Sequence, residues 1–275
     1  MKKLFLYISL LLLFATDGFA GMPVGKGRTI FGLGYTYLYS KKTYDSKWQL
    51  NDPLYPATFF KSNNYTFFLD HGMSRRVDFI CNFSYLNDIV SQNGIISKRS
   101  DFGDAMAGFA YNLENKDYTK YLTFQASLIL PMYTNPVGEL AMGYAAPGVD
   151  LTVSSNIIPK FLNNSGSMMF QLSYRDYFTE EGPQQLIGGG SIDFVIKHIN
   201  QIAFNFQGIA SFSRDTTSNI NLKGVKDFVT GNFTASYTRR ITRTMMVSAS
   251  AFYTLFGRNT SKGMGFGASV IFRVP

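Results

Sequence analysis

Two histidines and one cysteine stand in this chain, and their spacing decides whether it could support metal or thiol chemistry. His71 and His198 lie far apart, with no Asp/Glu cluster at ligand spacing, so neither begins a metal site. Cys81 falls between Phe79 and Phe83 in an alternating segment, the setting of a small hydrophobe rather than an activated thiolate. The glycines at 25–27 and 188–190 lack the strand-to-helix context of a phosphate loop. No G-x-S-x-G marks a serine hydrolase. A membrane-embedded lipid-modifying enzyme would need a nucleophile, a base and an orienting group to converge from distant positions. No catalytic, cofactor-binding or metal-ligating residue is therefore assigned.

The informative polar residues occupy every second position of apolar segments. Asp70, Asp78, Asn82, Asp104, Gln171, Arg175, Asp193, Lys197, Asn205 and Gln207 are expected to line an interior, with Asp104, Arg175, Asp193 and Lys197 as candidates for polar control. Both signs of charge occur, so no single-sign filter is expected. Two roles stay open for these groups: pairing across neighbouring strands, or direct contact with a solute. The long connection at 40–63 carries Trp48, Tyr55, Phe59 and Phe60, more apolar surface than a solvated loop needs. It is expected to fold inward as a constriction or a platform that admits solute.

Strands must position these residues. Alternating segments are expected at 28–39, 64–72, 76–86, 101–113, 119–130, 147–155, 167–178, 188–198, 201–212, 228–238, 242–256 and 263–274. In 263–274, for example, Met264, Phe266, Ala268, Val270, Phe272 and Val274 share one face. These segments are longer than the strands of a soluble sandwich and match the roughly 9–11 residues that cross a bilayer at a tilt. The connections also alternate, mostly tight at one rim and mostly long and polar at the other. That pattern is expected of an outer-membrane barrel whose N-terminus is periplasmic. The fold class read here is all-β, a closed antiparallel transmembrane barrel of about twelve strands.

Composition agrees. The chain is 16% aromatic, with 26 Phe and 17 Tyr, but only 16% charged. Its mean hydropathy of −0.02 is too low for a bundle of membrane helices. Mid-segment Phe and Leu would then face acyl chains, and Tyr near the ends would sit at headgroup depth. Residues 1–20 read as a secretory signal peptide, with Lys2 and Lys3, an apolar run from Leu4 to Ala15 and a small-residue site at Gly18 and Ala20. Residues 21–275 then form one barrel domain in the bacterial outer membrane. The formal charge of +8 becomes +7 without that peptide. No basic stripe with interleaved aromatics points to nucleic acid, so the charges are assigned to lipid phosphates.

With that peptide, the stretches SDFGDAMAGFAYNL at 100–113, LTFQASLILPMYTNP at 122–136 and GMGFGASVIFRV at 263–274 carry a family resemblance. The chain resembles the outer-membrane proteins associated with meta-pathway phenol degradation, and more loosely the long-chain fatty-acid and aromatic-hydrocarbon uptake barrels. It departs at 101–104, where Asp-Phe-Gly-Asp stands in place of Gly-x-Gly-Asp, and in ending Val-Pro after Phe272. The resemblance implies passive uptake of small hydrophobic, often aromatic compounds, without a cofactor. The expected partners are outer-membrane lipid, the outer-membrane assembly machinery and such a solute. A non-transporting structural or surface-binding barrel is the alternative.

Overall fold

Along the eighth strand, Asp150, Thr152, Ser154 and Asn156 are buried while Leu151 and Val153 are exposed. Along the ninth, Gln171 and Ser173 are buried while Leu172 and Tyr174 are exposed. This is the inverse of a soluble core, where apolar side chains leave water. Hydrocarbon is the medium that suits the outer face. The computed structural model describes residues 23–53, 58–92, 94–116, 119–159, 166–179, 182–214 and 226–275. The signal peptide expected at 1–20 lies outside them, as does Tyr55.

The elements are β1 (Thr29–Tyr44), β2 (Leu50–Asn51), β3 (Phe59–Gly72), β4 (Val77–Gln92), β5 (Ile95–Phe102), β6 (Asp104–Lys116), β7 (Lys120–Pro131), β8 (Gly148–Ile157), β9 (Gly166–Tyr177), β10 (Gln184–Ile196), β11 (Asn200–Phe212), β12 (Phe228–Arg240), β13 (Met245–Arg258) and β14 (Thr260–Val274). Leaving aside the short flanking strands β2 and β5, twelve run in the order β10-β11-β12-β13-β14-β1-β3-β4-β6-β7-β8-β9. First and last strands pair antiparallel, from Thr29 opposite Val274 to Tyr44 opposite Thr260. β9 and β10 lie side by side at the other seam, where Ser167 Oγ donates to Asp193 Oδ1. The cylinder is closed, and no long edge is left facing lipid.

Three strands run past the expected limits. β1, β3 and β4 continue at the long-loop rim into SKKTY, FFKSN and NDIVSQ, where β2 joins β1 and β5 joins β4. Phe59 and Phe60 are consequently strand residues rather than loop residues. Beyond the bilayer the outer face no longer meets lipid, so the apolar alternation that reveals a strand disappears although its hydrogen bonds persist. At the opposite rim the connections are tight. Ser74 Oγ accepts from the amides of Arg76 and Val77, and Thr242 Oγ1 from those of Thr244 and Met245. Lys197 and His198, with φ of 52° and 57°, turn the chain between β10 and β11.

The β1–β14 seam is thin on its inner side. A Cβ on Gly265 would collide with the Tyr37 carbonyl oxygen, so no larger residue fits without moving the ladder. Gly265→Val is expected to cost about 1–3 kcal/mol through overpacking. Ala268→Val, on the exposed face of the same strand, is expected to cost little. Urea unfolding followed by heat-dependent gel mobility checks both.

Candidate functional site

The inner wall is a lattice of short polar side chains. Asn112 Nδ2 donates to Thr123 Oγ1 (3.3 Å), Gln125 Nε2 to Ser127 Oγ (3.2 Å), and Gln171 Nε2 to Ser173 Oγ (3.2 Å). Thr152 Oγ1 donates to Asp150 Oδ1 (2.8 Å) and lies 2.6 Å from Ser173 Oγ. Arg175 Nε donates to Asp150 Oδ2 at 3.0 Å across β8 and β9, a pair whose acid is almost wholly buried. These residues face inward because they alternate with Leu151, Val153, Leu172 and Tyr174, which lipid must receive.

The sequence-derived residues fall unevenly on this wall. Asp70, Asp78, Asn82, Asp104, Gln171, Arg175, Asp193, Asn205 and Gln207 share the inward alternation of β3, β4, β6, β9, β10 and β11. Asp104 and Arg175 belong to one group near the long-loop rim, and Asp70 and Asp78 lie near the tight-turn rim. Lys197 does not line the wall. It is exposed in the β10–β11 turn, because the ladder ends at Ile196. His71 Nδ1 lies 2.8 Å from Thr29 Oγ1 beside an apolar recess of about 410 Å³ that includes Leu69, Phe79 and Phe109. Among the described residues no group of three His, Cys, Asp or Glu is placed to hold a metal ion.

Two segments enter the cylinder. At the tight-turn rim Val24 N–H donates to Asp78 Oδ2 (2.9 Å), Gly27 N–H donates to the Gly72 carbonyl, and Gly72 N–H donates to the Arg28 carbonyl. Residues 24–28 thus form a strap over the mouth; Gly72 is required there, since a Cβ would collide with the Gly25 carbonyl.

At the other rim the β7–β8 connection, 132–147, folds inward. Its Tyr133, Leu140, Ala141, Met142 and Ala146 are buried. Ala146 packs with Ile129 and Tyr177, and Tyr144 meets the Tyr177 ring edge-on at 4.8 Å. Gln185 Nε2 of β10 donates to Tyr144 Oη at 3.4 Å, so the loop reaches past β8 and β9. Asn135 braces it internally: its Oδ1 accepts from Met142 N–H and its Nδ2 donates to the Gly143 carbonyl. Tyr133 Oη accepts from Ala145 N–H. Arg99 of β5 fastens it at the rim, donating to the carbonyls of Leu140 (2.9 Å) and Thr134, with Asp101 and Glu139 as ion-pair partners. Tyr177 Oη donates to Asp104 Oδ2 at 3.4 Å, and Tyr133 hydrogen-bonds to the same carboxylate.

The connection at 40–63 does not fold inward where it is described. Trp48 lies over Phe256 with ring centroids 6.2 Å apart and remains half exposed. Phe256 also touches Phe206, whose strand neighbours Phe204 and Phe212 are exposed, so Trp48 is on the outer face. Phe59 faces outward beneath Lys61, and Phe60 faces inward opposite Ser40. Aromatic content alone marked this loop, and lipid satisfies an aromatic ring as well as a lumen does. The inward loop carried a fainter signal, the run Leu-Ala-Met-Gly-Tyr-Ala-Ala at 140–146 between Pro136 and Pro147.

Twelve antiparallel strands closed around a polar interior and banded outside by apolar side chains define a β-barrel protein of the bacterial outer membrane. Among solved structures, the outer-membrane channel COG4313 from Pseudomonas putida F1 matches with a TM-score of 0.76 and 12% identity over 94% of this chain and 100% of that one. The translocator domain of the autotransporter NalP from Neisseria meningitidis matches at 0.54 and 11% identity, over 91% and 89%. The β domain of the Bordetella autotransporter BrkA matches at 0.52 and 12% identity, over 88% and 98%. At such identities the likeness is one of fold. No family model and no curated protein matches the sequence.

Arg99→Ala removes the β5 fastening of the loop at 132–147. Losing a charged donor to two carbonyls is expected to cost docking about 2 kcal/mol, roughly a thirtyfold shift toward the undocked loop. Protease cutting between Pro136 and Ala146 should increase to match, with the barrel intact. Burial also raises the Tyr133 and Tyr144 hydroxyls above the ordinary tyrosine range. An undocked loop ionises first, near pH 10. Docking is therefore complete below that pH and is lost as pH rises beyond it. Protease sensitivity measured across alkaline pH checks the sign.

Proposed function

We propose that this chain is a passive, non-enzymatic channel for small hydrophobic or aromatic compounds. One observation carries the reading. The segment that enters the lumen from the long-loop rim brings Tyr133 and Tyr144 beside Tyr177, with the Asp104 carboxylate next to them. Aromatic faces beside polar hydroxyls suit an amphipathic solute that bears a ring and a polar group. Nearby charges are already engaged, Arg175 by Asp150 and Arg99 by Asp101, so an ion finds no single-sign ring to draw it through. The fold shared with a known outer-membrane channel supports transport, and the resemblance to the meta-pathway phenol-degradation proteins supports the solute class.

On this reading Asp104 and Arg175 are polar controls of the lumen, and Asp193 braces the β9–β10 seam through Ser167. Proposed partners are the solute, surrounding lipid and the assembly machinery that inserts barrels. A non-transporting barrel is the second reading, favoured by the two segments at opposite mouths: 132–147 and the strap held by Asp78.

Flux into liposomes separates the two. With the wild-type barrel, phenolic and other small aromatic solutes are expected to enter several-fold faster than sugars of similar size. Tyr144→Ala should narrow that ratio by raising sugar flux. Equal flux with empty liposomes for every solute overturns transport.

A further inference from the structure

At one level on the outer face, three neighbouring strands change from aromatic to lysine. On β14 the outward series Phe266, Met264 is followed by Lys262; on β3 Tyr65 is followed by Asn63 and Lys61; on β1 Tyr35, Tyr37 and Tyr39 lead to Lys42 beyond a bulge at Lys41. Pairing fixes their proximity. Lys42 stands directly opposite Lys262, and Lys61 directly opposite Tyr39. Like charges paired across two strands repel. Two ammonium groups also rest on aromatic rings: Lys61 Nζ is 4.8 Å from the Phe59 centroid and 5.9 Å from that of Tyr39, and Lys262 Nζ is 5.0 Å from that of Tyr253.

Local acids do not neutralise the group. Among the described residues Asp52 pairs with Lys42 alone, at 2.8 Å. Asp45 is spent within its own turn, accepting from Lys47 N–H, Gln49 N–H and Asn51 Nδ2. Lys41, Lys61 and Lys262 remain as excess positive charge at the edge of the apolar band, flanked by Trp48 over Phe256. This rim carries the long connections and faces the outer leaflet.

We propose that the outer surface formed by β14, β1 and β3 at this rim is a docking site for the phosphorylated headgroup of an outer-leaflet lipid. The phosphate bridges Lys61 and Lys262, with Lys41 beside it. Tyr39, Phe59 and Tyr253 set the depth, and the acyl chains lie along Tyr37, Met264 and Phe266 below. Ammonium–phosphate hydrogen bonds are charge-assisted, and each lysine at a membrane surface contributes appreciably to anionic lipid attraction. Neither the channel reading nor the lumen enters this argument.

The test uses the refolded barrel in neutral detergent and native mass spectrometry with purified bis-phosphorylated lipid A. Wild type is expected to retain at least about tenfold more lipid A than the Lys41→Gln/Lys61→Gln/Lys262→Gln variant. Dephosphorylated lipid A should be retained no better by wild type than by the variant. Lys61→Arg is expected to keep binding, and Lys197→Gln, in a turn at the other rim, to leave it unchanged. Heat-dependent gel mobility shows that each variant is folded. Equal retention by wild type and triple variant, or of both lipids, overturns the proposal. Displacement by millimolar inorganic phosphate overturns the lipid assignment, since it reveals a site that needs no acyl chain.

Discussion

Hydrocarbon offers no hydrogen bond to a peptide group, and the rest of this structure follows from that. Each backbone N–H and C=O within the band must be met by a neighbouring strand, at a cost of several kcal/mol where one is not. The chain meets the demand by pairing its first and last strands over nearly their whole length and bringing β9 against β10. Closure then fixes two solvents. Side chains on one face of every strand meet acyl chains, and those on the other meet a narrow interior.

The interior has its own constraint. Twelve strands enclose limited space, so bulky inward groups need thin neighbours. Phe68 lies over Gly32, and Phe252 over Gly265, each ring occupying the space a Cβ would take. Elsewhere the wall is built from Ser, Thr, Asn and Gln, which satisfy one another along and across strands and need little room. Arg175 and Asp150 can be tolerated there because each meets the other's charge. Room remains for the loop at 132–147, whose apolar residues cover Ile129, Met106 and Tyr177 near one mouth. A barrel with a polar wall thus acquires an aromatic, apolar segment inside it without any strand breaking its alternation.

Legibility in the sequence tracks how strictly each part obeys a local period. The strands within the bilayer were expected within a few residues, because Phe31, Leu33, Tyr35 and Tyr37 on β1 must all face lipid. Their outward extensions were not, since Lys41 to Tyr44 and Asn87 to Gln92 lie beyond the apolar band and keep no apolar period. Most inward polar residues were placed for the same reason as the strands. Lys197 was misassigned because alternation runs smoothly into a turn, and only the φ of 52° reveals the end of the ladder. Trp48 and Phe59 drew attention to the wrong loop, as their aromatic character signals a boundary with lipid as readily as a lumen.

The sequence by itself determined the solvent on each side of the strands and the number of crossings, because a period of two residues is a local property that lipid and water read directly. Only the tertiary structure decided which connection turns inward. That choice depends on Arg99 reaching the Leu140 carbonyl and Gln185 reaching Tyr144, contacts between positions about forty residues apart that no local pattern encodes. It likewise decided that lysines from β14, β1 and β3 share one patch. Their proximity comes from closing the chain's last strand against its first, and the register of that seam belongs to the cylinder rather than to any one segment.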